Sequence, residues 1–223
     1  MNLRAEDTTG RFVCIGAGGH GRSVVDLFTA GDSSRCAGFL DPDPALKGKS
    51  ICGYPVLGGD ELLPQLRHER ICFFVITFGS TGAREECRRR AEKFQTLKAM
   101  GLIPLSLRHV SASISQHARI GEGTVVLPGA IVNAGAQVGD NVILNSGSIV
   151  EHDCIIDDHV HVATGAVLCG GVRLAERVHV GAGAVILQNV SVGAGSVIGA
   201  GSIVIRDVEP DTVVAGAPAQ AMR

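Results

Sequence analysis

The sequence predicts an α/β domain of Rossmann type followed by a parallel β-helix built from six-residue repeats. Three observations carry this. From Ile114 to Val204 an aliphatic residue recurs at every sixth position, sixteen times without a gap. The chain of 223 residues has 30 glycines, no Trp and only 4% aromatic residues, so small and branched aliphatics must fill its core in a regular way. The first hundred residues instead alternate apolar runs with helical stretches, the pattern of a parallel α/β sheet.

In chain order, Arg11–Ile15 reads as an apolar strand, followed by Gly-Ala-Gly-Gly-His-Gly at 16–21 and a helix over Arg22–Ala30. Cys36–Leu40 is a second strand ending at Asp41. A Pro/Gly-rich connection containing Tyr54-Pro55-Val56 leads to a short helix, Asp60–Arg67. A strand over Ile71–Phe78, a charged helix over Ala83–Gln95 and a last strand around Leu102–Leu107 complete this half. The break falls between Arg108 and Ser113, giving domains 1–108 and 109–223. All four lysines (47, 49, 93, 98) precede it.

Beyond the break, a period of six fits neither a helix, at 3.6, nor a strand, at 2. Each unit reads as a short strand and a turn, with its aliphatic residue (Val126, Val132, Val138, Leu144 and onward) pointing into a narrow prism. Three units close a coil of 18 residues. Two positions before each ladder residue stands a small or β-branched one, such as Ala118, Thr124, Ala130, Cys154, Ala184 or Ser202. The Gly and Asn residues just after ladder positions, such as Asn133, Gly139 and Gly181, suit the turns. Leu127, Leu187 and Ile205 fall at outward positions, where apolar side chains call for burial against a neighbour.

Composition excludes several functions. The net charge of −2 leaves no basic surplus for nucleic acid. No apolar run approaches the roughly 20 residues that cross a bilayer. Met1–Gly10 is polar, without a signal-peptide core, so a cytoplasmic location is expected. Seven scattered cysteines without a Cys-x-x-Cys pair read as reduced thiols.

Gly16, Gly18 and Gly21 satisfy G-x-G-x-x-G between a strand and a helix, where backbone N–H groups can meet a phosphate. Asp41 stands about 20 residues on, where an acidic residue meets a ribose hydroxyl. Alone this suggests NAD. The domain is too short for the two-halved dinucleotide fold, and His20 is atypical of that fingerprint. A nucleotide sugar is therefore the favoured ligand, with a dinucleotide or an empty tight turn as alternatives.

Together, Gly16-Ala17-Gly18-Gly19-His20-Gly21, Phe39-Leu40-Asp41 and a hexapeptide domain containing Glu151-His152-Asp153 resemble the bacterial nucleotide-sugar N-acetyltransferases. The related sialic acid O-acetyltransferases share this layout. The resemblance runs from about Phe12 to Pro218 and includes the ending Val214-Ala215-Gly216-Ala217-Pro218-Ala219. It implies a left-handed β-helix and acetyl transfer from acetyl-CoA to a 4-amino sugar on UDP or GDP, in glycan or surface-polysaccharide synthesis. It also implies a homotrimer with CoA lying between adjacent prisms, and no metal.

By the same resemblance His152 is the general base and Asp153 raises its basicity, while Asn145 faces the base from the previous coil. His161 contacts acetyl-CoA, and Gly170, Ala182 and Ala200 line the CoA groove. Gly18, Gly19, His20, Asp41 and Gly79 form the nucleotide-sugar site. Gln220 stands where the family often carries a Lys, so no lysine contact to the CoA phosphates is expected there.

The residues around His152 make a case of their own. It lies two positions after the inward Val150, hence outside the core, between two carboxylates. A carboxylate accepting from one ring nitrogen fixes the tautomer and raises basicity at the other, and an imidazole with a pKa near 6.5 is suited to taking a proton from an attacking amine. Backbone N–H groups near Gly170 and Gly171 are candidates to stabilise the oxyanion. Cys154 reads as core, so direct transfer without a covalent intermediate is expected. The competing reading joins His152, His159, His161 and His179 as metal ligands, as in a γ-class carbonic anhydrase.

Overall fold

The structure, a computed structural model, describes residues 10–66 and 69–222. The expectations placed on residues 1–9 and on a helix end at Arg67 lie outside the described residues. The chain divides into two compact units. The first holds Met1–Phe78 with Thr96–Leu105, and the second Gly79–Gln95 with Ser106–Arg223.

In the first unit, β1 (Arg11–Ile15) pairs in parallel with β2 (Cys36–Leu40) and β5 (Ile71–Ile76), which carry the continuous apolar runs of strands covered on both faces. The sheet order is β3-β4-β2-β1-β5-β6, with β3 over Ser50–Ile51, β4 over Tyr54–Gly58 and β6 over Ile103–Pro104. Tyr54-Pro55-Val56, expected as a connection, is therefore strand. Pro55 is tolerated because it sits toward the sheet edge. The first helix, α1, spans Gly19–Val25, earlier and shorter than expected. A second, α2 (Ala30–Arg35), starts on a capping box in which Thr29 and Asp32 bond each other's backbone N–H groups. The strand expected over Leu102–Leu107 is two strands. Ile103–Pro104 joins the α/β sheet, while Leu107–Arg108 pairs with Val125–Val126 in the β-helix.

In the second unit, two-residue strands stack in parallel at a spacing of 18 residues, as in Val126↔Leu144, Val132↔Val150 and Val138↔Ile156. The inward residues form one dry core in which Val150, Cys154, Val162, Ala166, Leu168, Val180 and Ile186 are fully buried. The core is close-packed without large rings, so a methyl-scale deletion leaves a void that its neighbours cannot fill. Leu168→Ala is expected to cost about 2–5 kcal/mol, read as a lower urea midpoint at unchanged slope.

The outward residues divide the three faces by chemistry. One face (Val125, Ile143, His161, His179, Val197) is buried throughout, and Gly79–Gln95 packs on most of it, Gly79 beside His161 and Ile143 and Gly82 beside His179 and Val197. This segment includes most of α4 (Arg84–Ala99), the helix that comes after the short α3 (Leu63–Leu66) of the first unit. The α4 residue Arg90, 1% exposed, donates from Nη2 to the carbonyl of Asn141 at 3.2 Å, and burial lowers its pKa to about 9. The Phe94 ring meets His159 edge-on, with centroids 5.5 Å apart. Leu127 follows the covered strand Val125–Val126 and is fully buried, correcting the expectation that it is exposed.

The second face presents Ile131, Ile149, Val167 and Val185, half-buried, with Ile203 41% exposed. No described segment lies over it. The third presents Arg119, Gln137, Ile155, Arg173 and Ser191, a mixed surface suited to water. At the C-terminal end the chain shortens its turn: Val208 bridges to Val192, sixteen residues back instead of eighteen. It finishes in an antiparallel hairpin of Val213–Gly216 and Ala219–Ala221.

Candidate active site

Each coil turns three corners, and the predicted β-helix site residues other than His161 occupy the two that flank the uncovered apolar face. His152 and Asp153 lie on the corner between the apolar and polar faces. Asp153 takes the left-handed conformation (φ 60°) shared by Gly135, Gly171 and Asn189 at the same point of other coils. Asp tolerates that conformation at small cost. The turn brings its Oδ2 within 2.9 Å of His152 Nδ1, while Glu151 accepts from the backbone N–H of His152 at 3.3 Å. The hydrogen bond to Asp153 holds the imidazole pKa above its ordinary value. It also fixes the neutral tautomer as Nδ1–H, leaving the lone pair on Nε2.

The coils on either side are shaped to this pair. A Cβ on Gly135, one coil back, would collide with Asp153 Oδ1. A Cβ on Gly170, one coil on, would lie 2.6 Å from His152 Nε2 and 2.7 Å from its Cε1. Gly170 therefore gives the imidazole its place, and its own N–H makes no hydrogen bond to a described residue. Gly171 N–H is already engaged, donating to the carbonyl of His152 at 2.9 Å, so of the two expected oxyanion donors only Gly170 remains. Gly170→Ala is expected to leave the fold intact, because the backbone there is unstrained. By displacing the ring it should lower kcat about 100-fold, measurable beside an unchanged melting curve.

Cys154 is not a nucleophile. It is buried, donates to the carbonyl of Cys169 at 3.2 Å, and burial pushes its thiol pKa to about 11.

The corner between the covered and apolar faces carries Asn145, Ala182 and Ala200, the alanines one coil apart and exposed. Within the chain Asn145 does not face His152, which corrects that expectation. The strand Ile149–Val150 separates the two corners. Asn145 Oδ1 accepts from Ser146 N–H at 2.8 Å, which turns its Nδ2 toward His161 Nε2 at 3.3 Å. His161 is buried on the covered face, its ring 4.9 Å from and perpendicular to that of His179. Gly79 packs here as well: a Cβ on it would lie 3.3 Å from His161 Cε1. Ser80 Oγ lies 2.9 Å from His179 Nδ1, and Cys87 Sγ donates to Ser80 Oγ at 3.2 Å. Burial lowers the His179 pKa to about 4, so that ring is neutral. Sequence reasoning did not find this chain of contacts, because Ser80 and Cys87 belong to no motif.

The four histidines weighed as metal ligands do not converge within the chain. His152 stands on one corner, and His159 is buried on another with Asn141 Nδ2 2.9 Å from its Nδ1. His161 and His179 lie under the covering segment.

In the first unit the glycine loop is held from both sides. Gly16 (φ 106°) donates to the carbonyl of Leu40 at 2.7 Å, and a Cβ there would press on Phe78. Asp41, at the end of β2, accepts from the N–H groups of Ala17 (2.7 Å) and Asp43 (3.0 Å). Gly18 and Gly19 have open space where a side chain would stand, and His20 follows in the first turn of α1. The loop lies at the carboxyl ends of the parallel strands, where open α/β sheets bind ligands.

A histidine with a fixed tautomer, exposed on a hexapeptide β-helix and joined to an α/β unit with a glycine loop, is the arrangement of an acyltransferase. The PglD N-terminal domain family matches residues 11–91, and the bacterial transferase hexapeptide family (six repeats) matches residues 117–152 and 135–170. A histidine-to-alanine variant of GDP-perosamine N-acetyl transferase from Caulobacter crescentus, in complex with CoA and GDP-perosamine, superposes with a TM-score of 0.88. It is 32% identical over 96% of this chain and 97% of its own. The acetyltransferase domain of PglB from Neisseria gonorrhoeae FA1090, in complex with acetyl coenzyme A, is 34% identical over 96% of this chain and 100% of its own, with a TM-score of 0.85. WeeI from Acinetobacter baumannii AYE gives 25% identity over 95% of this chain and 99% of its own, at a TM-score of 0.79. A search of curated proteins returns no match. The chain belongs to the nucleotide-sugar N-acetyltransferase family.

Proposed function

We propose that the protein transfers the acetyl group of acetyl-CoA directly to the 4-amino group of a nucleotide-linked amino-deoxy sugar, in bacterial glycan or surface-polysaccharide biosynthesis. The observation that carries this reading is His152, bonded to Asp153 through Nδ1 and seated over Gly170, in a family whose relatives are described with CoA and GDP-perosamine. Nε2 takes the proton that the sugar ammonium must lose before it attacks the thioester. As charge grows on the imidazole, Asp153 stabilises it. Gly170 N–H is the donor available to the developing oxyanion. Gly18, Gly19, His20, Asp41 and Gly79 are assigned to the nucleotide sugar.

The working unit in this reading is a homotrimer. Each chain presents His152, Asp153 and Gly170 on one rim of the apolar face and Asn145, Ala182 and Ala200 on the other. A neighbour packed on that face supplies the second set to the first, with acetyl-CoA in the groove between prisms. A cytoplasmic location belongs to the same proposal, since acetyl-CoA is a cytoplasmic donor.

The test is CoA release from acetyl-CoA, followed with a thiol-reactive dye, against UDP- and GDP-linked 4-amino-6-deoxy sugars and free sialic acid. Rapid release with one nucleotide-linked amine is the expected result and names the nucleotide. Release with sialic acid alone overturns the N-acetylation reading in favour of O-acetylation.

A further inference from the structure

Between the rim that carries Asn145 and the segment covering the neighbouring face runs a line of polar groups that acetyl transfer, as described above, does not use. It begins at Asn145. The amide oxygen accepts from Ser146 N–H, so the atom 3.3 Å from His161 Nε2 is the amide nitrogen, which can only donate. Nε2 then carries the lone pair, and His161 is a neutral ring with its proton on Nδ1. The second proton of the Asn145 amide goes to no described residue and is left for the groove. His161 itself is 7% exposed, so it acts on the groove through Asn145.

The loop ahead of α4 grips both histidines of this face. Gly79 closes on one edge of His161, where a Cβ would lie 3.3 Å from Cε1 and 3.7 Å from Nδ1. Gly82 closes on His179 in the same way, 3.4 Å from Cδ2 and 3.6 Å from Nε2. Its φ of 100° is open to glycine without strain. Between the two glycines Ser80, itself buried, brings its Oγ within 2.9 Å of His179 Nδ1. The His179 ring lies one coil beyond His161 and perpendicular to it, with centroids 4.9 Å apart, so its tilt sets the wall on which His161 rests. Two contacts from α4 steady the loop. Cys87 Sγ–H donates to Ser80 Oγ at 3.2 Å, and Glu86 Oε2 accepts from the N–H and the hydroxyl of Thr81 at 2.6 and 2.9 Å.

We infer that Ser80 is a positioning residue for acetyl transfer: it holds the His179 ring, His179 holds His161, and His161 aims the Asn145 amide into the groove. The inference rests on the proposed trimer, in which that amide is supplied to a neighbour's base. The test is a double-mutant cycle on kcat with Ser80→Ala, Asn145→Ala and the pair, joined to nitrogen-15 spectra of the histidine rings. Ser80→Ala is expected to lower kcat about 10-fold with KM for acetyl-CoA unchanged, the size of one lost neutral hydrogen bond. It should add nothing once Asn145 is alanine, because it acts through that amide. Ser80→Cys, which keeps a weaker donor of similar size, should recover part of the rate, and it carries the cycle should Ser80→Ala not fold. In the spectra, wild-type His161 should show the Nδ1–H tautomer alone, and Ser80→Ala a mixture of the two. Losses that multiply in the double variant make Ser80 independent of Asn145 and overturn the inference, as does a wild-type kcat in Ser80→Ala. A wild-type protein that acetylates no acceptor overturns the acetyl-transfer reading. The spectra still judge the line of contacts in that case, and a His161 ring unchanged in Ser80→Ala overturns it too.

Discussion

His152→Ala is expected to lower kcat by 100-fold or more while leaving KM for both substrates nearly unchanged, because the ring acts on the proton and not on binding. The pH dependence identifies its role more specifically. In the proposed mechanism the base works neutral, so activity falls as pH drops through its pKa, and Asp153 holds that pKa above the ordinary histidine value. Asp153→Asn removes the charge that favours the imidazolium. The acidic limb of the kcat profile should therefore move to lower pH, with a reduced plateau from the weaker base. A limb that stays in place in Asp153→Asn would assign the acidic limb to another group.

A single charge on the uncovered face is expected to be as damaging as loss of the base. Val167 sits mid-ladder among Ile131, Ile149, Val185 and Ile203, half-buried in the isolated chain. Val167→Glu places an unpaired carboxylate where the proposed neighbour must dry the surface, and leaving such a charge unpaired costs several kcal/mol at each copy of the interface. The expected outcome is a monomer by light scattering at micromolar concentration, with the coil core still folded and activity lost. A trimeric and active Val167→Glu protein would place the subunit contact, if any, on another face. Arg173→Glu on the polar face is the matched control and should change neither mass nor rate.

Most of the β-helix was legible because its geometry is arithmetic. Residues 18 apart stack, so Val150 predicts the place of Leu168, and His152 that of Gly170. The same count places Gly135 under Asp153, a relation available from the sequence but not used. Within one chain Asn145 does not reach His152, because it lies seven residues away, which puts the two on neighbouring corners and not in one column. Leu127 was misjudged for a different reason. It follows a strand of the face on which Gly79–Gln95 packs, and no hexapeptide rule foresees which face is covered. In the α/β unit, Pro55 hid a strand by its low propensity, and its place beside the two-residue edge strand Ser50–Ile51 is a tertiary fact. The polar chain of Cys87, Ser80 and His179 is invisible for the same reason, since it exists only where α4's leading end meets a coil.

The terminal hairpin sets a limit on the molecule that no coil could set for itself. A stack of parallel strands ends in unpaired backbone groups and so invites another copy to continue it. Here the covered sheet closes on Ala219–Ala221, three residues running in the opposite direction. A further coil would need a parallel edge in an 18-residue register, and on this sheet it meets an antiparallel one. The chain thus acts as its own ruler: growth along the prism axis is halted on that sheet.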